Sequence, residues 1–183
     1  MLNPSLSTLA IVLGGGFAAL NIPGVISPES FSAAARRFPR NTAIGYVLTL
    51  LATGWFVYYV SLETVADFAA MKRWLCMFFA GVGIATCFFV RDYLAVRGLA
   101  VFLLLLAKLT VDTARLAETN WRLVLVTWAY LWVLLGMWLT ISPWRLREWI
   151  TWATASEQRV RTLSGLRLAF GAFVAILGFT VFR

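Results

Sequence analysis

Apolar positions in this chain gather into runs rather than alternating. The runs cover about 6–26, 42–60, 74–90, 94–111, 123–141 and 163–182, separated by short polar stretches that carry most of the arginines. A bilayer core requires about 20 helical residues, within a range near 17–25. The first, second and fifth runs meet that length directly. The third and fourth are short; the fourth takes in Arg97 and Lys108, and the sixth carries Arg167 close to its start. Long basic side chains near helix ends reach back to the interface, so the pattern predicts six spans, with five as the alternative count. The expected fold is an all-α integral membrane protein, one transmembrane domain over 1–183. Three hairpins are expected: 6–60, 74–116 and 123–182.

Between the spans one tripeptide occurs twice. Ile26-Ser27-Pro28 and Ile141-Ser142-Pro143 each close an apolar run and precede arginines and aromatics. Ser before Pro is a helix-start signature, with Ser at the cap and Pro at the first helical position. After Pro28, the residues Phe31, Ala34, Ala35 and Phe38 recur at helical spacing, Arg36 and Arg37 lie on the other arc, and Pro39 ends the turn. After Pro143, Leu146, Trp149, Ile150 and Ala153 form the apolar arc against Arg147, Glu148 and Thr151. Both read as amphipathic helices lying flat at a membrane surface, arginines toward phosphates. The predicted unit is therefore span, Ile-Ser-Pro, interfacial helix and glycine-bearing span, present at 6–60 and again at 123–182. The hairpin 74–116 resembles a worn third copy.

Composition agrees with the membrane reading. Of 183 residues 61% are hydrophobic and 13% charged, and the mean hydropathy is +0.82; soluble domains hold nearer half apolar and a quarter charged residues. Sixteen Lys and Arg stand against eight Asp and Glu, but in short clusters between apolar runs, the habit of membrane-surface loops, so nucleic acid is not an expected partner. No Lys or Arg precedes Arg36, which argues against a signal peptide at the start of the sequence. Arg36, Arg37, Arg40, Arg91, Arg97, Arg145, Arg147, Arg159, Arg161 and Arg167 fall on the side of the hairpin loops. The other side has Lys72, Arg73, Lys108, Arg115, Arg122 and Arg183. The positive-inside rule then puts the hairpin loops in the cytoplasm and both termini outside, in a bacterial-type inner membrane. Trp55, Tyr58, Tyr59, Trp74 and Trp121 form the matching outer aromatic belt.

Each outer unit resembles the short two-span inner-membrane proteins of the YjeT type, a family of unknown function. Pro28 with Phe31, Pro143 with Trp144 and Arg145, and Arg161, Gly165 and Gly171 match that family's outline of span, proline, aromatic and basic stretch, then a glycine-rich return span. The resemblance covers about fifty residues at each end of the chain and implies architecture only.

Candidate chemistry is sparse. There is no histidine, which removes imidazole metal and haem ligation. Cys76 and Cys87 lie ~16 Å apart along one helix, too far to bridge, and read as small buried side chains. Lys108 is the sharpest single residue: a cation in an apolar run lines a solute path or forms a ladder with Asp112 and Arg115 at the outer end of its helix. Arg97 and Arg167 present the same choice at the cytoplasmic end. Together with Arg36, Arg37, Arg145 and Arg147 they are the candidate lipid or solute contacts. Gly14 with Ala18, Gly15 with Ala19, and Gly171 with Ala175 and Gly178 are small-residue stripes suited to close helix packing. Trp121, Trp128 and Trp132 share one helical face.

No nucleophile–base pair can be assembled, and no carboxylate lies midway along a run. The expectation is a non-enzymatic accessory or scaffold subunit of a membrane assembly, needing no cofactor. Its partners would be other membrane proteins or further copies of itself, in a bilayer containing anionic phospholipid. The alternatives are a small transporter or channel for an anionic solute or lipid, and a lipid-, quinone- or pigment-associated subunit of an energy-converting complex.

Overall fold

The computed structural model describes residues 4–64, 71–90, 92–115 and 117–182. Every regular element among them is helical: α1 (Leu6–Ile26), α2 (Pro28–Arg37), a 3₁₀ turn (Phe38–Arg40), α3 (Thr42–Leu62), α4 (Lys72–Phe89), α5 (Leu94–Ala114), α6 (Arg122–Ile141), α7 (Arg145–Ala153) and α8 (Glu157–Thr180). Six of them, α1, α3, α4, α5, α6 and α8, are long and apolar enough to cross a membrane. Arg91, Arg183 and Asp67 lie outside the described residues.

Local signals set the helix starts. Ser5 accepts from the Thr8 amide, Asn41 from the Ile44 amide at 3.1 Å and Ser156 from the Arg159 amide at 3.3 Å, each satisfying an amide that the first turn leaves unpaired. Ser27 and Ser142 behave otherwise. Both residues before proline leave the α region, at φ −132°, ψ 73° and φ −131°, ψ 70°, as the following ring requires. Each donates its amide to the carbonyl four residues back, Pro23 or Trp138, at 2.8 Å. Ser27 stands at the cap of α2 without a side-chain bond, and α7 starts two residues past Pro143, with Trp144 at its cap. The predicted serine capping is thus corrected: the pre-proline bend, not the hydroxyl, ends one helix and turns the chain into the next.

The close helix pairs also differ from the predicted hairpins. α1 packs along α8 from Ser164 to Gly178, α5 packs on α6, and α3 packs on both α5 and α4. The arms α1 and α3, α4 and α5, and α6 and α8 do not close-pack along one another. Where α6 does reach α8 it does so through aromatic side chains. Trp128, 7% exposed, meets Phe170 of α8 at 5.0 Å and Phe17 of α1 at 5.2 Å, both edge to face, and sits 4.5 Å from Trp132. Rings of that size hold backbones apart while still filling the junction. Leu6, Ala114, Leu125 and Phe182 share this core, so the start of α1, the end of α8 and the α5–α6 turn occupy one end of the molecule. α2, α7 and the 3₁₀ turn occupy the other, basic end.

Candidate functional site

The α1–α8 seam is built from glycine. A Cβ on Gly14 would lie 2.5 Å from the Ala175 nitrogen and 2.6 Å from the Gly171 oxygen. One on Gly171 would lie 2.7 Å from both the Ala18 nitrogen and the Gly14 oxygen. Gly178 is as tight against Ile11, and beside it Ser7 donates to the Gly178 carbonyl at 2.7 Å. The two stripes are thus each other's partner in an antiparallel crossing that admits no side chain. Gly15 is the exception: a Cβ there, or on Gly16, meets nothing within 4 Å, and Ala19 is exposed.

At the basic end the two amphipathic helices meet. Arg36 of α2 donates from Nε to Thr154 Oγ1 at 2.9 Å and from Nη2 to the Thr154 carbonyl at 2.7 Å. Thr154 follows the last turn of α7, where free carbonyls favour a cation. Arg145 pairs with Glu148 at 2.9 Å on the exposed face, and Arg159 lies over the Trp152 ring at 5.1 Å. Arg147 and Arg37 are exposed. Arg147 lines an open cleft of about 640 Å³ with Tyr93, Trp144, Glu148, Thr151 and Trp152. Trp144 and Trp152 are half exposed or more, and Trp149 a little over a third. An anionic surface with an apolar layer beneath it fits this combination of arginine and tryptophan.

At the opposite end Lys108 bonds Asp112 at 2.7 Å, both side chains nearly half exposed, and its ammonium sits 5.0 Å from the Tyr59 ring centre. An exposed pair at this spacing contributes only about 0.3–0.5 kcal/mol. Arg115 adds no ion pair among the described residues. The Tyr59 hydroxyl and the Trp55 indole nitrogen are buried without hydrogen-bond partners among the described residues, and the two rings stack at 6.2 Å.

Arg97 is placed differently from the other cations. It lines a cavity of about 290 Å³ between α3, α4 and α5, with Thr49, Thr53, Phe56, Phe79, Val82, Thr86 and Val101. Its Nε and the hydroxyl of Thr49 are buried in the surrounding packing, without partners among the described residues. Arg167, by contrast, is exposed on α8. Sequence reasoning singled out Arg97 but not Thr49, since a neutral hydroxyl in an apolar run ordinarily bonds its own helix backbone. Cys76 and Cys87 are both free. Among the described residues no cluster of His, Cys, Asp or Glu is arranged to hold a metal ion.

No family model matches the chain, and no curated protein or solved structure matches it either.

Proposed function

We propose that this chain is a multi-pass protein of a bacterial-type inner membrane that works without catalysis, as an accessory or scaffold subunit of a larger assembly. In this reading α2 and α7 lie on the cytoplasmic leaflet, with Arg36, Arg37, Arg145 and Arg147 toward anionic headgroups, and both termini are outside. The matching backbone at Ser27 and Ser142 supports treating the outer units as two copies of one device of the YjeT type.

One observation carries the assembly reading. α1 has two neighbouring small-residue stripes, and among the described residues only one is used: Gly14 is filled by α8, while Gly15, Gly16 and Ala19 face outward with open space above the glycines. Helices in lipid associate by close backbone approach at small residues, because apolar bulk alone does not distinguish a helix from an acyl chain. An unused stripe on a helix already fixed by its neighbour is suited to a helix from another chain.

The test is purification of the tagged chain in mild detergent, with native mass and identification of what accompanies it. The expected result is a stoichiometric complex that Gly16→Leu dissociates while the released chain stays folded. A lone monomer for both forms would sink the assembly reading and leave transport of an anionic solute or lipid.

A further inference from the structure

α4 and α5 are consecutive, yet a cavity of about 290 Å³ separates them, with α3 as its back wall. The lining is graded along the helices. Thr49, Thr86 and Arg97 lie toward the basic end, where α4 finishes and α5 begins, and Phe56, Phe79 and Val101 lie deeper. The rim is apolar as well: Phe56, Val82 and Val101 are 36%, 47% and 40% exposed.

Hydroxyls at the polar end differ in one respect. Thr86 donates to the Val82 carbonyl at 2.8 Å, as Thr110 and Thr140 do to Leu106 and Gly136. Thr49 does not. It is 8% exposed, and its Oγ1 has no partner among the described residues. Gly98, next to Arg97, lets this hydroxyl pack closely on α5, since a Cβ there would lie 2.9 Å from both Thr49 N and Oγ1. Arg97 Nε is likewise buried and unpartnered. Both atoms are buried within the wall rather than open to the cavity, so a small shift of the Arg97 and Thr49 side chains is needed to bring a guanidinium N–H and a hydroxyl to its face. That pair is suited to a group that accepts twice and carries negative charge.

We propose that this cavity binds one phospholipid, its phosphodiester oxygens on Arg97 and Thr49 and one acyl chain along Phe56, Phe79, Val82 and Val101. The graded lining matches a headgroup joined to hydrocarbon. The apolar rim favours entry from the acyl layer over entry of a free anion from water. The site stands on Arg97 and Thr49 and does not depend on the assembly reading.

The test uses the full chain, delipidated in detergent, titrated with dioleoyl phosphatidylglycerol and read by native mass spectrometry. Wild type should retain one tightly held lipid, and Arg97→Gln should hold it about tenfold more weakly, the effect of losing a charge-assisted hydrogen bond. Arg167→Gln should match wild type. Dioleoylglycerol, which has no phosphate, should not be retained, and millimolar inorganic phosphate should not displace the lipid. Displacement by phosphate would overturn the lipid assignment in favour of a free-anion site. Equal retention by wild type and Arg97→Gln would overturn the site itself. Should Arg97→Gln fail to fold, Val101→Trp leaves Arg97 in place and fills the apolar half; undiminished retention in that variant would equally overturn the proposal.

Discussion

At the residue scale, glycines that look equivalent in the sequence have opposite tolerance. Gly14 and Gly15 are neighbours in the same apolar run, yet a methyl at Gly14 meets backbone atoms at 2.5 and 2.6 Å while one at Gly15 meets nothing within 4 Å. Backbone cannot rotate aside as a flexible side chain can, so α1 and α8 must separate to admit it. Gly14→Ala is expected to cost about 1–3 kcal/mol, the usual range for overpacking a filled contact. Gly15→Ala should stay within about 0.5 kcal/mol of wild type, as a substitution away from packed features does. Reversible unfolding in mixed micelles measures both, and equal losses would mean that the seam is not as tight as drawn.

At the element scale, the three hydroxyl or amide caps that bond an amide can be set against the two repeated serines that do not. Asn41 accepts from Ile44 and opens α3. Ser27 and Ser142 act through the pre-proline backbone, so their side chains contribute little to either amphipathic helix. Asn41→Ala should therefore cost about 1 kcal/mol, whereas Ser142→Ala should leave helicity and stability nearly unchanged. Circular dichroism with chemical unfolding separates the cases; a loss at Ser142 as large as that at Asn41 would restore the capping role. The repeated tripeptide is thus one device used twice, a bend between a long helix and a short amphipathic one. Arg36 then ties the two short helices together through Thr154.

At the scale of the whole molecule, closure depends on the junction of α1, α6 and α8 around Trp128. Its ring touches Phe17, Trp132 and Phe170, so truncation leaves a void bordered by three helices that the α1–α8 seam and the α5–α6 contact prevent from collapsing. Trp128→Ala is expected to destabilise by about 3–5 kcal/mol. Trp138→Ala, where the ring is half exposed and meets Trp149 of α7 edge to face, should cost clearly less. Thermal unfolding in detergent compares them, and a similar midpoint shift for both would show that Trp128 is not the keystone of the junction.

Much of this architecture was legible in the chain itself. Run length set the six long helices, because a span must satisfy every backbone group internally over a roughly constant distance. The two Ile-Ser-Pro bends, each followed by an apolar arc set against arginines, marked the amphipathic helices and their separation from the long ones. The stripe at Gly14, Gly171 and Gly178 announced close packing, since only the smallest residues allow it. What the chain did not reveal was which helix meets which. The six long helices are apolar on nearly every side, and lipid is as apolar as leucine, so hydropathy does not separate an outward apolar surface from a buried one. Tertiary structure decided that α1 closes on α8, that Trp128 holds α6 off α8, and that Gly15 is left open. It alone decided, too, that Thr49, unlike Thr86 across the cavity, keeps a buried hydroxyl with no partner among the described residues. A hydroxyl's partner depends on the neighbouring helix, and that neighbour lies some fifty residues away in the sequence.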